Sequence, residues 1–314
     1  MMLRKLLLGA ATAVLLSTSA QAADKLTVLL DWFVNPDHAP LLVAEQIGAF
    51  AEQGLEVELV PPADPSLPPR LLAAKQADLA IGYQPQLYLL VEEGLPVVRV
   101  GTLVGQPLNT LMAIGGRGIE GIADLKGKSI GFSVAGVDDA TLAPMLSTAG
   151  LTLADIKLVN VNFQLVSALL AKQVDAVIGG YRNVEALEVK EHDEAPVVFD
   201  VEKFGIPVYD ELIVLARKDA TGDPRIARFL AAVGKATAYL KAHPDDTWAA
   251  FAKTHKDLDT PLNKASWAAT VPLFADDPGR LDTPRYAGYA AFLRKAGLIK
   301  SDKPVGEYAV EVAK

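Results

Sequence analysis

Leu26-Thr-Val-Leu-Leu-Asp-Trp-Phe-Val-Asn-Pro-Asp-His38 is the stretch on which the reading of this chain turns. Its apolar start reads as a buried strand over 26–31, and the APLLVAEQIGAF that follows is a helical pattern from about 38 to 53, closed at Gly54. The end of the strand delivers Asp31, Trp32, Asn35 and His38 within eight residues. In open α/β sheets ligands sit outside the carboxyl ends of the strands. A carboxylate, an indole, a carboxamide and an imidazole gathered there point to a small, planar, polar molecule. A core tryptophan followed by a capped Asn-Pro-Asp turn accounts for the same residues without a ligand, and both readings are open at this level.

Outward from that stretch, strand and helix alternate. The pattern predicts strands over 55–60, 78–81 and 97–103, with helices over 70–75 and 85–93 between them. Such alternation makes a mostly parallel sheet wrapped by helices. A glycine cluster, Gly115-Gly-Arg-Gly-Ile-Glu-Gly121, then marks a crossover, and a second run follows: strands over 129–134, 156–161 and 176–179, helices over 138–149 and 165–172. Tyr209-Asp-Glu-Leu-Ile-Val-Leu-Ala216 returns to the first unit, and the remainder is helical over 224–241, 245–253, 262–274 and 283–295.

One phrase occurs twice. Lys75-Gln-Ala-Asp-Leu-Ala-Ile-Gly82 recurs as Lys172-Gln-Val-Asp-Ala-Val-Ile-Gly179, each followed by a tyrosine, Tyr83 and Tyr181. Two lobes carrying one helix–strand unit each would aim both strand ends at a shared cleft. The expected fold is therefore α/β and two-lobed: residues 23–111 plus 212–314 form the first lobe and 112–211 the second.

The ends and the composition narrow the function. Met1-Met-Leu-Arg-Lys5, an apolar run to Ala20 and the pattern Ala20-Gln-Ala22 read as a cleavable secretory leader cut after Ala22. Its removal deletes Arg4 and Lys5 and leaves 28 basic against 38 acidic residues, so the charge goes from −8 to −10. An acidic chain without a basic run argues against nucleic acid and anionic membrane. With no cysteine among 314 residues there is no disulfide, no thiol nucleophile and no lipidated cysteine at the cleavage site. The expectation is a monomer without a membrane anchor, exported to a bacterial periplasm.

Motifs with catalytic associations lack their structural setting. Gly127-Lys-Ser-Ile-Gly131 matches the nucleophile elbow, but Ser129 opens a strand instead of following one. Gly116-Arg-Gly-Ile-Glu-Gly121 matches a dinucleotide fingerprint without the helix it requires. The four histidines show no metal-ligand spacing. Glu185 stands apart. It follows the second copy of the repeated phrase and Asn183 at the start of a helix, either as a favourable charge at a helix N-terminus or as a carboxylate facing the cleft beside Tyr181. Tyr209 and Glu211 invite the same two readings at the return to the first lobe.

L-D-W-x-x-N-x-x-H followed by A-x-x-x-G-x-F-x-x-x-G-L-x-V resembles the thiamine-pyrimidine family, which unites periplasmic binding proteins of transporters with eukaryotic thiamine pyrimidine synthases. Ala77-Asp-Leu-Ala-Ile-Gly-Tyr-Gln-Pro85, Gln106-Pro-Leu-Asn109 and Phe204-Gly-Ile-Pro-Val-Tyr-Asp-Glu-Leu212 extend the resemblance over nearly the whole chain after the leader. The resemblance implies a type II periplasmic binding protein, closing about a hinge on a formylaminopyrimidine-like heterocycle and handing it to an ABC transporter permease. It implies a binding set of Asp31, Trp32, Asn35, His38, Tyr83, Gln84, Asn109, Tyr181, Asn183, Glu185, Tyr209 and Glu211. Trp32 would stack on the ring, with Tyr83 or Tyr181 opposite, and Glu185 would bond the ring amine. Riboflavin-like and sulfonate-like cargoes are the alternatives within the binders. The synthases hold pyridoxal phosphate on a lysine and draw on one of their own histidines. Those positions fall here on Gly82 and Gln86, and the synthases' cysteine-rich loop falls near 205–208 in a chain without cysteine, so the resemblance implies a binder with no cofactor and no catalysis.

Overall fold

The computed structural model describes residues 22–312; apart from Ala22, the leader expected at 1–22 lies outside the described residues. Two five-stranded sheets organise the chain. The first takes β1 (Asp24–Leu29), β2 (Leu55–Val60), β3 (Leu79–Gly82) and β4 (Val97–Val104), and the second takes β5 (Asn109–Ile114), β6 (Ser129–Phe132), β7 (Lys157–Asn160), β8 (Ala176–Tyr181) and β9 (Pro196–Asp200). β10 (Leu212–Arg217) comes back to the first sheet, whose order is β2-β1-β3-β10-β4, while the second reads β7-β6-β8-β5-β9. In each sheet four strands share one direction, and the fifth, β10 or β5, pairs antiparallel on both its sides. The two orders coincide when β1 is laid on β6 and β3 on β8.

Helices cover both sheets. The first lobe carries α1 (Ala39–Gln46), α2 (Ala49–Glu52), α3 (Pro68–Ala73) and α4 (Gln84–Glu92), and the second α5 (Val137–Ser147), α6 (Leu165–Leu170) and α7 (Glu185–Glu191). After β10 come α8 (Pro224–Ala242), α9 (Pro244–Thr254), α10 (Pro261–Thr270) and α11 (Thr283–Lys295). This is the expected α/β, two-lobed architecture.

Alternation along β1 sorts its side chains. Leu26 and Val28, with Leu30 just beyond, pack in a cluster with Leu41, Val100 and Phe229, whereas Leu29 faces the opposite cluster with Leu72 and Leu87. That opposite cluster runs on through Tyr209 and Tyr289 to Leu111, Ile130 and Met145, so apolar packing continues from one lobe into the other. Among the described residues no helix is long and apolar enough to cross a membrane.

The repeated phrase has a common geometry in its two copies. Lys75 and Lys172 end α3 and α6 in the left-handed region, at φ +64° and +59°. The amides of Gln76 and Gln173 then bond back five residues, to the carbonyls of Leu71 and Ala168. Asp78 and Asp175 next accept the backbone N–H of Thr27 and Ser129, at 2.9 and 2.7 Å, pinning β3 to β1 and β8 to β6. Ser129 opens β6, as expected, and its hydroxyl also bonds Asp175.

Two readings shift. The expected lobe boundary at 111/112 falls inside β5, which belongs wholly to the second sheet, so the first crossing segment is 105–108 and not the glycine cluster. The cluster instead follows β5, where Gly115 N–H bonds the Ala195 carbonyl. The helix expected over 38–53 is divided, with a 3-10 turn at Pro36–His38 and a break at Gly48, which takes φ +71° between α1 and α2.

Candidate functional site

A cavity of about 330 Å³ lies between the lobes, at the carboxyl ends of β1, β3, β6, β7 and β8. The strand ends deliver its walls. Asp31 and Trp32 follow β1, Tyr83 follows β3, Ser133 follows β6, Phe163 lies beyond β7, and Tyr181 ends β8. Asn109 opens β5 and Glu211 immediately precedes β10, so the two crossing segments form the back of the cleft.

The aromatic wall is shared. Trp32 meets Phe163 of the second lobe edge to face with centroids 4.7 Å apart, and Phe33 packs on the same ring at 4.4 Å. Phe33, half exposed, forms the lip. Tyr83 is positioned from behind. Its hydroxyl donates to Asp31 Oδ2 at 2.8 Å, and the other oxygen of Asp31 takes a bond from His38 Nε2 at 2.9 Å. His38 Nδ1 accepts the Asn35 N–H at 3.4 Å, which leaves the ring proton on Nε2, facing Asp31.

Three carboxyls hold the polar end, and burial pushes each of them upward. Glu185 Oε2 accepts the Tyr181 N–H at 2.7 Å, and desolvation between the cleft walls pushes its pKa up to about 8. Glu211 Oε2 accepts the N–H groups of Leu108 and Asn109 at 2.6 and 2.9 Å and the Tyr209 hydroxyl at 3.0 Å; burial outweighs these bonds and takes its pKa to about 7. Asp37 Oδ1 accepts from Asn183 at 2.6 Å and Thr270 at 2.8 Å, and burial raises its pKa to about 6. No lysine or arginine lines the cavity among the described residues, so water has been removed without a compensating cation. Beside these acids, Asn109 is almost wholly buried. Its Oδ1 accepts the Gly179 N–H at 3.0 Å, while its Nδ2 has no partner among the described residues. A buried amide N–H without an acceptor is costly, and Asn109 is among the residues that line the cavity.

Of the residues singled out from the sequence, Asp31, Trp32, Asn35, Tyr83, Asn109, Tyr181, Glu185 and Glu211 line the cavity. The Asn35 amide is already occupied, capping Asp37 N at 2.8 Å and donating to the Phe33 carbonyl at 3.0 Å. The other four stand behind the wall. His38 braces Asp31. Gln84 bonds Tyr88 and the Asp210 N–H, holding α4 to the second crossing segment. Tyr209 supports Glu211. Asn183 bridges the lobes, donating to Asp37 and Thr270 while its carbonyl accepts the Ser266 hydroxyl at 2.7 Å. Phe163, Ser133 and Glu188 line the cavity without having been singled out. The strand-end rule that flagged Trp32 and Tyr83, carried to the ends of β6 and β7, reaches the first two.

The family profile described as "NMT1/THI5 like" matches residues 35–247. The chain is 46% identical over 299 residues to a "Putative thiamine biosynthesis protein" of Haemophilus influenzae, covering 95% of each. It is 31% identical to the "Formylaminopyrimidine-binding protein" of Halalkalibacterium halodurans, over 77% of this chain and 74% of that one. A "4-amino-5-hydroxymethyl-2-methylpyrimidine phosphate synthase" of Legionella pneumophila is 25% identical, over 80% of each. Among solved structures, the alkanesulfonate-binding protein SsuA from Xanthomonas axonopodis pv. citri, bound to MOPS, aligns with a TM-score of 0.72 at 16% identity, over 93% of this chain and 99% of that one. The fold is that of the periplasmic binding proteins, and the chain belongs to the NMT1/THI5-like family.

Proposed function

We propose that this member of the NMT1/THI5-like family is the periplasmic substrate-binding component of an ABC importer, and that its cleft clasps an amino-substituted pyrimidine of the thiamine-precursor type. The observation that carries the proposal is the buried, unpartnered Nδ2 of Asn109 set among carboxyls that retain protons near neutral pH. An aminopyrimidine complements both. Its ring nitrogen or carbonyl substituent accepts from Asn109, and its amidine-like edge shares a proton with Glu185, a charge-assisted bond netting roughly 1.5–3 kcal/mol. Trp32 and Phe163 come from opposite lobes and touch, so the aromatic wall against which the ring rests is complete only when the lobes close.

Size and charge separate the cargoes. The cavity of about 330 Å³ stands at the lower end of small-molecule pockets, roughly 300–1,000 Å³, which suits a single ring better than a flavin. A sulfonate needs donors or cations, and the lining is acidic. The synthase reading needs a lysine in the strand region of Gly82. A Cβ built there lies 2.8 Å from Leu215 Cδ1, and Gln86, at the position of the donor histidine, is tied to the Ala135 carbonyl at 3.1 Å. These contacts favour a binder over an enzyme.

The test is a melting screen of the purified protein against formylaminopyrimidine, hydroxymethylpyrimidine, thiamine, riboflavin, pyridoxal phosphate and taurine, followed by calorimetry on any hit. A concentration-dependent rise with a pyrimidine is expected. A rise with taurine or riboflavin alone would overturn the cargo, and an imine absorbance band with pyridoxal phosphate would overturn the binder.

A further inference from the structure

The charge of the cleft is one-sided, and its distribution reaches beyond the three buried carboxyls. Glu188 sits one turn beyond Glu185 on α7 and lines the same cavity. Around it are Ser167 of α6 and Leu262 and Asn263 of α10. The Ser167 hydroxyl bonds the Gln164 carbonyl, and the Asn263 amide donates to the Leu258 carbonyl, so neither polar group is turned wholly to the cavity. The Glu188 carboxylate takes no hydrogen bond from any described residue; the side chains whose charge bears on it are His192 and Glu191, at the end of the same helix. Arg182 is held by both oxygens of Glu202, at 2.7 Å each, and by Asp200 at 3.3 Å. The Tyr181 N–H at the end of β8 is taken by Glu185.

We propose that the cleft sorts its cargo by charge, admitting an unphosphorylated pyrimidine and rejecting its phosphate monoester, and that Glu188 is the residue that imposes the rejection. The proposal rests on the pyrimidine reading above. A ring seated with its amine on Glu185 has its neighbouring substituent within reach of Glu188, about 4.5 Å further along the helix axis. A hydroxymethyl or formylamino group is accommodated there. A phosphate ester brings a charge of about −1.5 to −2 at neutral pH against Glu188, in a cavity that no lysine or arginine lines among the described residues and whose one unpartnered amide, Asn109 Nδ2, is taken by the ring. Relatives named as pyrimidine phosphate synthases bear the phosphate in their names; this cleft is built against it.

Calorimetry on the full-length protein with 4-amino-5-hydroxymethyl-2-methylpyrimidine and its phosphate ester tests the proposal. The wild type is expected to bind the alcohol about 100-fold more tightly than the ester or better, as like charges at close range dictate. Glu188→Gln narrows that ratio by about tenfold, and Glu188→Lys narrows it further by raising affinity for the ester itself. The side chain lies on the half-buried face of a helix, and melting curves of the two variants verify that they fold. Wild-type affinities within about threefold of each other, or a ratio unmoved in both variants, overturn charge selection while leaving the pyrimidine reading intact. Binding of neither compound, nor of formylaminopyrimidine, overturns the pyrimidine reading and this proposal with it.

Discussion

Replacing Glu185 by glutamine removes a single ionisable group from the cleft with little else disturbed. In the folded protein Glu185 Oε2 accepts the Tyr181 N–H, and a glutamine oxygen can keep that bond, so α7 retains its start. What is lost is the proton that Glu185 shares with the ligand. A charge-assisted hydrogen bond nets roughly 1.5–3 kcal/mol against about 0.5–1.5 kcal/mol for a neutral one, so the exchange costs about 1–1.5 kcal/mol, about tenfold in Kd. Because burial raises the Glu185 pKa to about 8, the empty cleft already carries that proton at neutral pH. Binding therefore takes up no proton below about pH 8. Above it the free protein has lost the proton that the complex keeps, and affinity falls by up to about tenfold per pH unit. Calorimetry of formylaminopyrimidine from about pH 6.5 to 9.5 reads both effects: the wild type shows a falling limb above pH 8, and Glu185→Gln binds more weakly without that limb. Equal affinities in the two proteins, with the same pH profile, would refute the role assigned to Glu185.

Other outcomes follow from the same geometry. Glu211→Ala strips the acceptor from Leu108 N, Asn109 N and the Tyr209 hydroxyl; at about 1–3 kcal/mol per orphaned buried donor, a loss of about 3–9 kcal/mol in urea unfolding is expected, and a loss under about 1 kcal/mol would contradict it. The raised pKa values of Asp37 (about 6), Glu211 (about 7) and Glu185 (about 8) mean that the folded state holds protons the unfolded chain releases. Their contribution is complete below their unfolded values and is lost as pH rises through the folded ones. The melting temperature of the ligand-free protein should accordingly fall from about pH 5 to about pH 8.5, and a rise across that window would count against the buried carboxyls. Lys75→Gly and Lys172→Gly relieve left-handed backbone at +64° and +59° and should each raise stability by roughly 0.5–1 kcal/mol, measurable as a shift in urea midpoint at constant m-value.

Much of this was legible in the residues, and what was not has a physical reason. Apolar runs such as Leu26-Thr-Val-Leu-Leu30 betray their strands because burial is a local demand on composition. The sheet to which a strand belongs is not a local property. Asn109–Ile114 reads as a strand in either lobe, and only its partners Tyr181 and Asp200 fix it in the second. β9 went unread because Pro196-Val-Val-Phe-Asp200 is a short edge strand that opens on proline after a charged run. At the site, Trp32, Tyr83, Tyr181 and Glu185 were found by their place at strand ends and beside the repeated phrase. Phe163, just beyond β7, answers to the same strand-end rule, but its contact with Trp32 depends on how the second lobe meets the first. His38, Gln84, Asn183 and Tyr209 are polar side chains near the right backbone positions, but they bond other residues of the protein, and pairing across a fold is invisible in a linear pattern.

The placement of β10 sets the order in which the molecule can be assembled. β3 and β4 are not neighbours; β10 lies between them, pairing Ile213 with Gly82 on one side and Leu215 with Arg99 on the other. A nascent chain that has not yet reached Leu212 has every strand of the second sheet and still lacks the strand that joins β3 to β4 in the first. The half of the molecule synthesised later is thus the first that can close, and the half that begins the chain waits, with unpaired strand edges, for a segment made after its neighbour is complete.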